Sequence, residues 1–296
     1  MEFKALGLED KPLIDRYLHQ DKTSISDTNF TNMFMWRHSR EISYSIVNDQ
    51  LIIQTRYPKQ LPFIFYPIGQ GDKKSTINAL MNYYQSLGYP FEIHSLESYQ
   101  LEEFLAYFPS AFEVIERRDR FEYIYHLPEL IELSGRKYHK KKNHLNRFWQ
   151  EYPQTQYESL RDSLIDEVVA VNNAWFDALP NPDDGLKYEN LGINDALKNF
   201  DALKIQGGIL RYEGEIIAFS FGEVLNSTTA LIHIEKANIA YKGAYQAINQ
   251  ALLKNEFASL RYANREEDLG IEGLRKAKLS YQPEFLLEKY DVRLKA

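Results

Sequence analysis

The sequence predicts a mixed α/β protein of the α+β class, built as two tandem units, each a mostly antiparallel sheet flanked by helices. Three observations predict it. Strand-like and helix-like segments interleave along the whole chain, and short hairpin turns join consecutive strand segments in each half. The two halves, read independently, also give one element order, β-α-α-β-β-β-α-β-α-β, which points to an internal duplication. A length of 296 residues is enough for two cores.

In the first half, "EFKAL" reads as a strand, 10–19 as a helix, and 27–38 as a second helix around Phe30, Phe34 and Trp36. "ISYSIV", the turn "ND", "QLIIQTRY" and "PFIFYP" make a three-strand run. "GDKKSTINALMNYYQSLG" is a helix with Asp72 as its N-cap and Gly88 as its stop. "FEIHSL" is a strand and 98–107 a helix, and "FEVIERRD" with "FEYIYHL" closes the half.

In the second half, "TQYESL" is a strand and "RDSLIDEVVAVNNAWFDAL" a helix, with Leu164, Val168, Val171 and Trp175 at helical spacing. "PNPDDG" breaks the chain before a shorter helix at 188–200. "GILRY", "IIAFSFGEVL" and "TALIHIEKA", joined by "EGE" and "NST", form an antiparallel meander. "KGAYQAINQALLKNEFAS" is a helix, "LRYAN" a strand, "IEGLRKAKLS" a helix and "FLLEKYDVRL" the last strand. No Gly-, Ser- or Pro-rich linker divides the halves. The seam is expected near "LPELIELSGR", giving domains 1–134 and 135–296, the second being the active one.

Hydrophobic content of 44% and charged content of 26% suit a soluble globular protein. No apolar run approaches the ~18 residues of a spanning helix. The start, "MEFKALGLEDKPL", lacks a basic stretch followed by an apolar one, so no signal peptide is expected. The absence of cysteine excludes disulfides and thiolate chemistry and fits a cytoplasmic location. A net charge of -7 argues against general nucleic-acid binding, so any polyanion must be met locally.

One place offers that. In "SGRKYHKKKNHLNRF", Arg136, Lys137, Lys140, Lys141, Lys142 and Arg147 stand together with no acid among them. On a helical wheel Tyr138, Leu145, Phe148, Trp149 and Tyr152 share one face, while Lys140, Asn143 and Arg147 point away. The run is either a solvated helix face or an electrostatic handle for phosphate.

Three further stretches can carry chemistry. Alternation in "LIHIEKA" places Leu231, His233 and Glu235 on one face and Ile232, Ile234 and Lys236 on the other, so two polar groups share a central strand. A satisfied polar pair or a salt bridge is the competing reading. "AYKGAYQAIN" puts Gly243 at a helix start, where backbone amides and the helix dipole favour an anion; a structural turn explains it equally. In "NREEDLGIEGLRKAKLSYQP", Asp268 precedes a helix bearing Arg275, Lys276 and Lys278, and capping is the plain explanation of the acid. Arg265 and Gly273 are expected to be structural. No metal-ligand spacing, Walker-type loop or nucleophile elbow occurs.

The element order resembles the GNAT (N-acetyltransferase) superfamily. The tandem pair, with "LSGRKYHKKKNHLNRFWQEYP", "HIEKANIAYKGAYQAIN" and "ANREEDLGIEGLRKAKLSYQPEF", is similar to Fem peptidyltransferases and to the C-terminal domain of phosphatidylglycerol lysyltransferase. The whole length resembles uncharacterised bacterial proteins related to that domain. The membrane lysyltransferases carry multi-span segments that this sequence lacks. The resemblance implies an acyl- or aminoacyltransferase acting on an amine or hydroxyl of a lipid, peptide or small molecule. Its co-substrate would be aminoacyl-tRNA or acyl-CoA, the partner a tRNA acceptor stem or CoA, with no covalently bound cofactor. It implies Glu235 as the base, His233 as the second candidate, and Asp268 orienting the transferred amino group. The donor would lie along Tyr241, Gly243, Ala244, Tyr245 and Asn249, with Arg136, Lys137, Lys140 and Lys278 meeting its phosphates. A non-catalytic ligand-binding module is the competing class.

Overall fold

A computed structural model describes residues 1–295. The first half supplies β1 (Lys4–Ala5), α1 (Lys11–Leu18), α2 (Phe30–Trp36), β2 (Glu41–Val47), β3 (Gln50–Arg56) and β4 (Phe63–Phe65). It continues with α3 (Lys73–Ser86), β5 (Glu92–Glu97), α4 (Ser98–Tyr107) and β6 (Phe112–Glu116). Then come β7 (Glu122–His126), α5 (Leu127–Glu132), α6 (His139–Glu151), β8 (Gln156–Ser159), α7 (Asp162–Asp177), α8 (Asp184–Lys198) and α9 (Phe200–Leu203). The meander β9 (Gln206–Tyr212), β10 (Glu215–Asn226) and β11 (Thr229–Ala237) leads to α10 (Ala244–Glu256). The chain closes with β12 (Tyr262–Asn264), α11 (Glu272–Leu279), β13 (Phe285–Leu287) and β14 (Lys289–Leu294).

These strands form two seven-stranded sheets, β1-β2-β3-β4-β5-β14-β6 and β13-β7-β12-β11-β10-β9-β8. Read from β8, the second repeats the first position for position, including one parallel pair in each, β4 with β5 and β11 with β12. The hairpins fold where the sequence places turn residues. Asn48 and Asp49, and later Glu213 and Gly214, all adopt positive φ, as a type I′ turn requires.

The boundary differs from the seam expected at 134. The compact units are Met1–Phe121 with the chain from Leu287 onward, and Glu122–Leu286. The closing strands are exchanged. β7, which follows the first half, pairs with β12, whereas β14 lies between β5 and β6 in the first sheet. "FLLEKYDVRL" is therefore two strands in two sheets, parted at Glu288. A hydrophobic pattern cannot reveal this, because both strands are apolar wherever they pair.

Each unit packs one long helix on its sheet. In the first, Ile77, Leu80 and Tyr84 of α3 meet Ile64, Ile93 and Phe104. In the second, Ala247, Ile248 and Leu252 of α10 pack on Leu210, Ala218 and Ile232 and against Leu130 and Phe148. Each fully buried large aliphatic side chain contributes about 1.5–3 kcal/mol. α6 buries Leu145 and Phe148, the aromatic face the wheel predicts, and exposes Lys140, Asn143 and Arg147. Among the described residues no helix is long and apolar enough to cross a membrane.

Candidate active site in the second unit

β11 and β12 run parallel, but their ladder covers only Thr229–Leu231 against Tyr262–Asn264. β11 continues to Ala237, held on its other edge by β10, while β12 ends. Beyond Leu231, that edge of β11 has no strand beside it among the described residues. Carboxyl ends of adjacent parallel strands are where open sheets accept ligands.

A bulge sets which side chains reach this notch. Phe221 lies opposite Ile234 and Gly222 opposite Ile232, leaving His233 as an extra residue. A Cβ on Gly222 would stand 2.2 Å from the Leu231 carbonyl oxygen, so the close approach requires glycine. The extra residue reverses the alternation after it. Glu235 lies opposite Ser220 on the face that Ile232 and Ala237 turn toward α10, not on the face of Leu231 as strict alternation predicts.

Glu235 is gripped from two sides. Asn249 of α10 donates to its Oε1, and Arg265, the residue after β12, donates from Nη2 to its Oε2. The Arg265 guanidinium lies 5.6 Å from the centre of the Tyr125 ring and 4.9 Å from that of Tyr281. Burial pulls its pKa down, but Glu235 and the tyrosine oxygens raise it above the ordinary arginine value. Its Nε and Nη1 are buried and make no hydrogen bond.

His233 is enclosed, with a side chain 1% exposed. Its Nε2 lies 2.9 Å from Glu223 Oε1 and its Nδ1 3.2 Å from Glu266 Oε1. Burial disfavours the imidazolium, but the two carboxylates outweigh it and push the pKa up to about 9. His233 is thus a buried cation at neutral pH, donating through both nitrogens.

Asp268 and Lys278 each make a structural knot. Asp268 is fully buried and accepts from Arg275 Nε (2.9 Å) and Nη2 (2.8 Å), the Tyr123 hydroxyl (2.5 Å) and the Gly270 amide (2.8 Å). Burial alone would raise its pKa; these donors, Arg275 first, hold it well below the carboxylate range. Lys278 donates to the carbonyls of Arg265, Glu266 (3.1 Å) and Glu267 (2.7 Å), fastening the turn after β12. Burial and then Arg265 lower it to about 8, against the pull of nearby carboxylates.

At the far end of β11, α10 begins at Gly243, whose φ of 95° favours glycine and whose absent Cβ would lie 3.0 Å from Phe148 Cβ. The Ala244 amide is already used by the Tyr241 carbonyl at 3.1 Å. Tyr241 packs against Tyr152 and Tyr212, ring centres 5.2 and 5.9 Å away. Tyr245, 44% exposed, opens onto a cleft of about 460 Å³ that Trp175, Leu186, Lys236 and Ile239 also line. Glu235 is not in that lining; Lys236 beside it is, ion-paired with Glu189.

The structure therefore brings Glu235 and Asn249 together and leaves Tyr241, Gly243, Ala244 and Tyr245 around the helix start. Arg136, Lys137 and Lys140 are exposed, Lys137 being tied to Glu129 at 2.6 Å. Two residues were missed. Arg265, read as structural, is the cation on Glu235; its position just past a strand parallel to β11 is the signal that could have found it. Lys141 is the basic-helix residue that turns inward, its Nζ 4.1 Å from the centre of the Tyr281 ring. Among the described residues no cluster of three or more His, Asp or Glu is placed to hold a metal ion.

A family model described as "Phosphatidylglycerol lysyltransferase, C-terminal" matches residues 20–293. A conserved protein of unknown function from Bacteroides thetaiotaomicron VPI-5482 is 34% identical, covers 100% of both chains and superposes with a TM-score of 0.92. L-PGS from Bacillus licheniformis is 17% identical over 97% of this chain and 92% of its own, with a TM-score of 0.67. FemX is 12% identical over 100% and 98%, with a TM-score of 0.58. The architecture is a tandem GNAT-like one.

Proposed function

From membership of the phosphatidylglycerol lysyltransferase C-terminal family, to which this chain belongs, we infer that the second unit transfers an aminoacyl group to an amine or hydroxyl acceptor. Membership of that family supports an aminoacyltransferase at the coarse level, and the similar structures share its fold. The donor proposed is an aminoacyl-tRNA. The observation that carries the reading is Glu235, a carboxylate at the notch where β11 outruns β12, fixed by Asn249 and Arg265.

The acceptor nitrogen or oxygen attacks the ester carbonyl, the ester C–O bond breaks, and the freed hydroxyl of the donor keeps the proton that the acceptor gives up. Glu235 takes that proton in passing. Each of its oxygens accepts one hydrogen bond from the protein and keeps a second lone pair. His233 is enclosed and committed through both nitrogens, so it positions the turn carrying Glu266 and does not touch substrate.

The test is transfer of radiolabelled amino acid from a charged tRNA pool to lipid, peptide and amine acceptors. Wild-type chain is expected to transfer, and E235Q to lose about a hundredfold or more with tRNA binding retained. Binding of neither charged tRNA nor CoA thioesters would sink the reading; binding of CoA thioesters alone would move the donor to acyl-CoA. A non-catalytic module is favoured by one observation, that Asp268 and Lys278 are wholly engaged in holding their own loop. It predicts ligand binding that no acceptor discharges.

A further inference from the structure

The positive charge around Tyr281 exceeds the negative charge that meets it. The Arg265 guanidinium lies 4.9 Å and the Lys141 ammonium 4.1 Å from the centre of that ring. Arg265 has one carboxylate partner, Glu235, engaged through Nη2 alone. Its Nε and Nη1 are buried without an acceptor, although the side chain is still 13% exposed. Lys141 is half-buried, carries no ion pair with a carboxylate among the described residues, and has its pKa lowered by burial and by Arg265. Leaving two charged donors of one guanidinium unmet in a protein interior is costly, and bringing a second cation beside them adds repulsion. An oxyanion between the two cations relieves both costs.

We propose that Lys141 of α6 and Arg265 after β12 form an oxyanion subsite beside Tyr281 that takes a phosphate group of the donor. The donor geometry selects phosphate over carboxylate. A planar carboxylate binds arginine best through two neighbouring N–H groups. Nη2 belongs to both such pairs, and Glu235 holds it. With both planar forks broken, the free N–H groups of Arg265 and the Lys141 ammonium select by charge and acceptor number, which favours a phosphate over a carboxylate. The basic run thereby divides: Lys141 faces the subsite, while Lys140 and Lys142 on the same helix face solvent.

The subsite's biological meaning rests on the transferase reading, but it is measured without any transfer, so the two can fail separately. Calorimetry with inorganic phosphate on the intact chain is expected to show binding at roughly millimolar Kd. K141Q is expected to weaken it roughly tenfold or more. K142Q removes the same charge one residue away, from an exposed side chain, and is expected to change it less than about twofold at 0.15 M salt, where the Debye length is about 8 Å. K141R should restore most of the loss, and equal urea midpoints for wild type and K141Q exclude misfolding. CoA and a CCA-ended oligonucleotide compete with phosphate in separate arms; the one whose binding weakens in K141Q names the source. No phosphate binding by wild type, equal effects of K141Q and K142Q, acetate bound as well as phosphate, or competition by neither ligand would each overturn the subsite.

Discussion

His233 is a charged side chain in the middle of a sheet, and its two carboxylate neighbours make it so. Its pKa of about 9 stands above the 6.5 of a free imidazole. A raised pKa means that its contribution to stability is fully present below pH ~6.5 and is lost as the pH climbs through 9. The expected loss is on the order of 3 kcal/mol, read as the difference in urea unfolding free energy between pH 6 and pH 9.5. H233Q should lack that fall. Lys278, lowered to about 8, acts in the opposite sense, since its buried ammonium is disfavoured until it deprotonates. It is common to both proteins and cancels in the comparison; an identical pH dependence in the two would refute the assignment. Glu235 and His233 were legible from sequence as polar residues in an apolar strand. Their separation onto different partners was not, because a bulge adds one residue without disturbing the apolar pattern. Only Gly222, the close-approach glycine opposite it, hints at the irregularity.

α6 and α10 show how far an element's faces can be read and where reading stops. The apolar stripe of α6 follows from spacing alone, since Tyr138, Leu145 and Phe148 must lie together. Which lysine turns inward does not follow, because it depends on Tyr281, far along the chain. The start of α10 has a similar double origin. Gly243 was visible as a helix-opening glycine, but its packing against Phe148 was not. Two glycine substitutions separate conformation from crowding. G214A, at φ 88° with open space around it, should cost about 1–2 kcal/mol from backbone strain alone. G243A should cost about 2–4 kcal/mol, because the new methyl also displaces Phe148. Chemical denaturation of the two variants side by side decides it, and equal losses would mean that α6 yields without resistance.

The duplication was legible in the order of elements, and the reciprocal exchange of β7 and β14 was not, since partner choice between two similar sheets leaves no local signature. β14 is secured in its sheet by Lys289, fully buried and 2.5 Å from Asp27, which Arg120 also holds at 2.9 Å. A chain ended after Leu286 should therefore lose more than its last strand. β5 and β6 are left without their common neighbour, and Asp27 loses its buried partner Lys289 while keeping the partly exposed Arg120. Hydrogen exchange should show protection collapsing in β5 and β6 while α10 keeps its own; retained protection in β5 would contradict this. The same placement of β14 also imposes a schedule on biosynthesis. At roughly 5–20 residues per second, the ribosome needs about ten to thirty seconds to pass from the end of the first unit's main segment to its missing strand. For that interval the first sheet has an open slot between β5 and β6, and nascent chains are exposed there to chaperones or to wrong strands.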